Sequence, residues 1–211
     1  MKVSVSVLSS SIKPADIIKK LDNSVADYIH LDIMDGKFTE NKTWTMSEVK
    51  KMISYSKLPL DVHLMVNNPD KYIEDYAMLN TSYLTFHYEA VKNVDEMINK
   101  INGYGLKVGV SICPDTDVEV LFPYLNKIDQ VLIMSVVPGK SGQSFIETSP
   151  LKISKLKEEI INQGVKTIIS VDGGINDETG ILCKDAGVDM LVSASFIHKD
   201  IINNVKLLKN I

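Results

Sequence analysis

Eight short runs rich in β-branched residues recur along the chain, with amphipathic stretches between them. The runs fall at 3–8, 27–33, 59–66, 82–87, 107–112, 129–135, 165–172 and 188–193. Apolar residues at helical spacing fill 14–21, 69–79, 93–102 and 150–161. Asn68-Pro69-Asp70 and Asn93-Val94-Asp95 are helix-start signals, and Gly103, Gly105, Gly164 and Gly187 stand where helices should stop before a strand. Strands that alternate with helices and never meet in a hairpin must pair in parallel. Eight of them predict an α/β fold of the closed (β/α)8 barrel type, with an open doubly wound sheet as the structural rival. No linker or low-complexity tract breaks the pattern, so residues 1–211 read as one domain. That is about 26 residues per βα unit, in a fold whose typical length is roughly 250. No lid or cofactor domain fits in such a chain, and its chemistry must come from strand ends and short loops.

Charge excludes some functions. The chain has 23 basic and 27 acidic residues, a formal net charge of −4. An acidic surface argues against nucleic acid or an anionic membrane as partner, and leaves a small phosphorylated ligand open. Cys113 and Cys183 are the only cysteines and lie far apart, which suits neither a disulfide framework nor a cysteine zinc site. The start, Met-Lys-Val-Ser-Val-Ser-Val-Leu, is too short and serine-rich for a signal-peptide apolar region, and no apolar run approaches about 18 residues. The expected location is the cytoplasm.

In a barrel, reactive groups sit at the C-terminal ends of strands. The second strand ends His30-Leu31-Asp32-Ile33-Met34-Asp35-Gly36, and period two puts His30, Asp32 and Met34 on one face. The third repeats this with Asp61, His63 and Met65, and the seventh ends at Asp172. Histidines and carboxylates on inward-facing strand ends suit a divalent metal of the zinc, iron, manganese or cobalt kind. Taken singly, each is more often a hydrogen-bonded core residue, but polar groups facing inward on three strands are costly unless paired. His87 and Glu89 after the fourth strand are either a further acid/base pair or lining of the barrel mouth. His198 reads as a surface or capping residue.

A second group of residues concerns phosphate. Val137-Pro138-Gly139-Lys140-Ser141-Gly142-Gln143-Ser144 follows the sixth strand, Gly173-Gly174 the seventh, and Ala194-Ser195 lie at the end of the eighth. Small residues let backbone N–H groups approach an anion, and loops after strands seven and eight are where barrels commonly hold phosphate. A P-loop is excluded, since Met134 stands where its first glycine belongs. A Schiff-base lysine is missing from the strand ends, because Lys107 and Lys166 fall at strand starts. No dinucleotide fingerprint is present.

The chain resembles the ribulose-5-phosphate 3-epimerases over nearly its whole length. The resemblance is carried in order by Ser6-Val7-Leu8-Ser9, by His30 to Gly36, by Asp61-Val62-His63-Leu64-Met65-Val66, by Met134 with Pro138-Gly139 and Gly142-Gln143-Ser144-Phe145, and by Val171-Asp172-Gly173-Gly174-Ile175. It implies a barrel of the phosphate-binding type and an isomerase of the pentose phosphate pathway that interconverts D-ribulose 5-phosphate and D-xylulose 5-phosphate. His30, Asp32, His63 and Asp172 would hold one divalent metal ion, with Asp32 and Asp172 as the two acid/base groups. Ser6 and His63 would touch the sugar phosphate. Gly139, Lys140, Ser141, Gly142, Gly173, Gly174, Ala194 and Ser195 would surround its phosphate, and Met34, Met65 and Met134 would cover the reacting carbons. A small-molecule sugar phosphate is then the partner, and a homo-oligomer the expected assembly.

The chain also departs from that family. Lys37-Phe38-Thr39-Glu40-Asn41 replaces a usual His-Phe-Val-Pro-Asn, Thr45-Met46 a Gly-Pro, Lys140-Ser141 a Phe-Gly, Val137 an Asn or Asp, and Ala194 a Gly. Lys140 either adds charge near the phosphate or points into water, the latter being favoured. These changes spare the four ligands and bear on substrate selection, so a hexulose-6-phosphate 3-epimerase, acting for example on allulose 6-phosphate, is the alternative. A decarboxylase of the related barrel type would need Asp-x-Lys-x-x-Asp, and Asp32-Ile33-Met34-Asp35 has no lysine. A catalytically idle sugar-phosphate sensor is the reading from a different class.

Overall fold

Each β-branched run forms a strand, and all eight strands pair in parallel around a closed barrel in chain order, β8 returning to β1. The computed structural model describes residues 1–8 and 11–211, so Ser9 of the first-strand motif lies outside the described residues. The strands are β1 (Lys2–Ser6), β2 (Tyr28–Met34), β3 (Leu60–Met65), β4 (Thr81–His87), β5 (Lys107–Ile112), β6 (Gln130–Met134), β7 (Ile168–Asp172) and β8 (Met190–Ser193). Between and after them run α1 (Pro14–Leu21), α2 (Met46–Ile53), α3 (Ile73–Ala77), α4 (Val94–Gly103), α5 (Ser149–Gln163), α6 (Asp177–Asp185), α7 (Ser195–Lys199) and α8 (Ile201–Lys209).

Several strands begin later than their sequence runs, for a chemical reason. Asp27, Asp129 and Asp189 stand just before β2, β6 and β8, and their carboxylates accept the backbone N–H of Val3, Val108 and Ile169, each at 2.8 Å. A side-chain acceptor there takes the place of a ladder bond. Before β7, the Thr167 hydroxyl donates to the carbonyls of Leu125 at 2.5 Å and Ile128 at 3.1 Å, which holds 165–167 out of the strand. The helix expected over 69–79 is a 3-10 turn at Pro69–Tyr72 followed by the short α3, and the Thr81 hydroxyl takes the Tyr76 carbonyl at its end. A 3-10 segment at Val118–Lys127 escaped the sequence pattern. Pro123 lies inside it, with no N–H for a regular α-helical bond.

Both faces of the strands are buried, yet β1 to β4 alternate polar with apolar residues, because the polar set lines the barrel interior and the apolar set meets the helices. Ile29, Leu31 and Ile33 of β2 belong to the outer core shared with Ile17, Ile18 and Val49 of the helices. Each such side chain contributes about 1.5–3 kcal/mol by leaving water. Tyr28, Tyr83 and Met190 form a separate cluster, and Leu132, Met134, Val136 and Val192 another. Ser4, His30, Asp61, Thr85 and Gln130 are polar and fully buried. Among the described residues, no helix is long and apolar enough to cross a membrane.

Candidate active site

Strand register assembles the site. It sets Asp32 beside His63 and His30 beside Asp61 on β2 and β3, Ser6 beside His30 on β1 and β2, and Met134 beside Asp172 on β6 and β7. His30 Nε2 lies 3.3 Å from Asp32 Oδ1 and 3.8 Å from Asp172 Oδ2. His63 Nδ1 lies 3.4 Å from Asp32 Oδ1 and 4.0 Å from Asp172 Oδ2. Asp32 also accepts the Ser6 hydroxyl at 2.7 Å.

Those four side chains meet the requirements of a cation. His30 Nε2 and His63 Nδ1 are buried and have no hydrogen-bond partner, a costly condition that a bound cation would relieve. Donors about 2.05 Å from a zinc-sized ion stand about 3.3 Å apart at tetrahedral angles. The separations of 3.3–4.0 Å bracket that spacing from above, so closure on an ion needs shifts of under an ångström. The free nitrogen differs between the two rings. Nδ1 of His30 is bonded to the Asp61 carboxylate at 2.8 Å, which also accepts the Ser4 hydroxyl at 2.9 Å. Nε2 of His63 is bonded to His87 Nε2 at 2.8 Å.

Electrostatics drives the two aspartates apart. Burial works to raise Asp32, but the nearby imidazoles of His30 and His63 outweigh it and hold its carboxyl far below the usual range. Burial also raises Asp172, and there the negative charges of Asp32 and Asp61 add to it, with His30 opposing, so its pKa is pushed up to about 7. Burial depresses His63 to about 4, whereas in His30 the neighbouring carboxylates overcome burial and raise it well above its ordinary value. One carboxylate held ionised beside another able to carry a proton near neutrality is the pattern of an acid/base pair.

Above this floor a pocket opens at the C-terminal ends of the strands. It is lined by Ser6, Asp32, Met34, Met65, Met134 and Asp172, together with Gly139, Lys140, Ser141, Gly142, Gly173, Gly174, Ala194 and Ser195. Every sequence-predicted site residue is on that lining except His30 and His63, which lie fully buried against it. Gly173 and Gly174 have φ of +123° and +64°, and a Cβ on either would come within 2.5 Å of Val136 or of the Phe145 backbone nitrogen, so only glycine fits this turn. Gln143 Nε2 clasps the preceding loop by donating to the carbonyls of Val137 at 2.7 Å and Lys140 at 2.8 Å. The short helix α7 begins at Ser195, on the pocket's edge.

The structure corrects or completes several residue readings. His198 is not a surface or capping residue: its half-buried ring donates from Nε2 to the Ser6 carbonyl at 2.8 Å and ties α7 to the end of β1. Lys140 projects toward solvent with 66% of its side chain exposed, and its Nζ lies 3.9 Å from Glu40. Thr45, one of the departures from the family pattern, is the N-cap of α2, where it and Glu48 form a reciprocal capping box. Asp61 was visible on the inward face, but its bond to His30 was not. His87 is fully buried, stands beside Glu89 and reaches His63 directly, so it does not line the barrel mouth.

A closed (β/α)8 barrel with two histidines, two carboxylates and a glycine-lined turn at its strand ends carries its polar residues where enzymes of this fold class hold their active sites. More specifically, the chain belongs to the ribulose-phosphate 3-epimerase family, whose model matches residues 2–198, and so to the isomerases. It is similar to the ribulose-phosphate 3-epimerase of Methanocaldococcus jannaschii, with 40% identity over 93% of this chain and 84% of that one. It is 38% identical to the ribulose-phosphate 3-epimerase of Bacillus subtilis over 94% and 92% of the two chains. Among solved structures, KGPDC from Streptococcus mutans superposes with a TM-score of 0.71, covering 99% of this chain and 95% of that one at 15% identity. That likeness is one of fold.

Proposed function

We propose that this protein interconverts D-ribulose 5-phosphate and D-xylulose 5-phosphate by moving the C3 proton between two carboxylates. The observation that carries the reading is geometric: two carboxylates, Asp32 and Asp172, stand together against the site-facing nitrogens of His30 and His63 at the floor of a pocket lined by small residues. Epimerising a carbon beside a ketone takes a proton from one face and returns one to the other, so each face needs its own group. Asp32, held by the Ser6 hydroxyl, removes the proton in one direction while Asp172 delivers one, and the roles exchange in reverse. A divalent ion held by His30, Asp32, His63 and Asp172 would polarise the ketone oxygen and offset the charge of the enediolate. Met34, Met65 and Met134 keep water from the reacting carbon, and Ser6 meets the sugar. His63, by the resemblance a sugar contact too, is fully buried, with Nε2 bonded to His87 and Nδ1 facing Asp32 and Asp172. Backbone N–H groups around Gly139–Gly142, Gly173-Gly174 and Ala194-Ser195 anchor the phosphate, so the substrate's C3 is fixed between the carboxylates.

Proton exchange in D2O tests this. With ribulose 5-phosphate and the metal-loaded protein, deuterium should enter C3, and Asp32→Asn and Asp172→Asn should each abolish epimerisation. Faster turnover of allulose 6-phosphate would favour the hexulose alternative, and no exchange with either substrate would sink the epimerase reading.

A further inference from the structure

The buried pair His63–His87 does not end at His87. His87 Nε2 faces His63 Nε2 at 2.8 Å, and on the other side of the ring His87 Nδ1 faces Glu89 Oε2 at 3.3 Å. Glu89 is itself held, since its Oε1 accepts the Cys113 backbone N–H at 2.8 Å and the Thr116 hydroxyl at 2.5 Å. Phe38 covers the His87 ring, with centroids 4.6 Å apart. We propose that His87 and Glu89 are a positioning relay that holds His63 in its Nε2–H tautomer and so presents the Nδ1 lone pair to the cation site.

The direction of the relay follows from its last member. A carboxylate only accepts, so Glu89 requires the proton of neutral His87 on Nδ1. His87 Nε2 is then a bare acceptor, and the facing Nε2 of His63 must be the donor. The lone pair left on His63 Nδ1 points at Asp32 and Asp172. In the opposite direction His87 Nδ1 would set a lone pair against the Glu89 carboxylate, which is repulsive. His30 is oriented in the same way but directly, by the Asp61 carboxylate. Outer partners of this kind fix the tautomer and orientation of ligating histidines.

The relay also decides the fate of a neighbouring cluster. His87, Glu89 and Cys113 lie close enough together to hold a metal. A metal on His87 Nδ1 would send that ring's proton to Nε2, reverse the pair, and put a proton on His63 Nδ1. Loading the cluster therefore competes with loading the main site. Burial and the charge of Glu89 push the Cys113 thiol up to about 12, which further disfavours a thiolate ligand there.

This inference rests on the reading of His30, Asp32, His63 and Asp172 as a metal site, and cobalt(II) binding separates the two. Affinity is measured by chelator competition on the metal-free protein, and the His63 tautomer by ¹⁵N NMR. Wild type should bind one ion per chain and show His63 protonated on Nε2. His87→Leu removes the acceptor and should weaken cobalt binding about 10- to 100-fold, the range for outer partners of metal ligands. His87→Gln, whose amide oxygen can accept, should recover most of it. Glu89→Gln supplies a donor as well as an acceptor, so the tautomer preference of His63 should fade and affinity fall. Glu89 is partly exposed, so that variant decides the matter if His87→Leu does not fold. Failure of wild type to bind cobalt would overturn the metal reading and the relay with it. Tight binding by wild type and equally tight binding by the variants, or a second ion with a cysteine-to-cobalt absorption band, would overturn the relay alone.

Discussion

Replacing Asp172 by asparagine should stabilise the metal-free protein while removing its activity. Asp172 has no hydrogen bond to its carboxylate among the described contacts; it faces Asp32, Asp61 and the two rings, and its pKa rises from 3.8 to about 7. A raised acid pKa means the folded state holds its proton more tightly than the unfolded chain. Stability from this group is complete below about pH 4 and is lost as pH rises toward 7. Roughly three pKa units at about 1.36 kcal/mol each put the loss on the order of 4 kcal/mol at pH 8, and about two-fifths of that at pH 5. Asparagine never ionises and escapes the loss. Urea unfolding with a chelator present should therefore show Asp172→Asn the more stable protein at pH 8, with the gap narrowing at pH 5 and closing near pH 4. Saturating cobalt should reverse the order, because a neutral amide is the poorer ligand. A variant no more stable than wild type at pH 8 in chelator would refute the claim that Asp172 is held in a field that opposes its charge.

Two further outcomes follow from the same geometry. His30 and Asp172 both carry protons in the metal-free protein at pH 6, and a metal must displace them, so affinity should rise from pH 6 to pH 8 with proton release that a pH-indicator titration detects; pH-independent affinity would contradict the ligand set. Gly109→Ala would place a Cβ 2.1 Å from the Thr85 hydroxyl inside the barrel, and should cost about 1–3 kcal/mol in unfolding free energy, partly recovered when Thr85→Ala is added.

Much of this architecture is legible in the sequence because each strand is short, β-branched and followed by a helix with its own start signal. The polar interior is legible in part, since period two alone puts His30 and Asp32 on one face and repeats the arrangement at Asp61 and His63, while the choice of His30, Asp32, His63 and Asp172 as ligands is what the resemblance implies. What cannot be read from one segment is a partner supplied by another. Asp61 needs the register between β2 and β3 to meet His30. The departures at Glu40 and Lys140 look like two unrelated loop changes, yet the loops meet: Asn41 Nδ2 donates to the Gly139 carbonyl at 2.8 Å, and Lys140 lies opposite Glu40. His198 reads as a surface residue from its own segment because its partner, the Ser6 carbonyl, is 192 residues away.

The reach of His87 depends on an irregularity that no periodicity reveals. The pairing of β3 with β4 steps from Leu60–Thr81 to Asp61–Tyr83, passing over Ser82. In a parallel pair, partners in register point to the same face, and a slip of one residue exchanges the faces of a whole strand. Leu60 belongs to the outer core, while Asp61 and His63 belong to the polar interior. Continued without the step, the Leu60–Thr81 register would align His63 with Leu84 and send Thr85 and His87 outward among the helices, where a buried imidazole has no partner. The extra residue turns β4 so that Tyr83, Thr85 and His87 face inward, and it is this turn that lets His87 bond to His63. A bulge that re-aims a side chain beside a reactive centre is a functional feature of the sheet. Here one unpaired serine in β4 determines whether the relay to the cation site can exist.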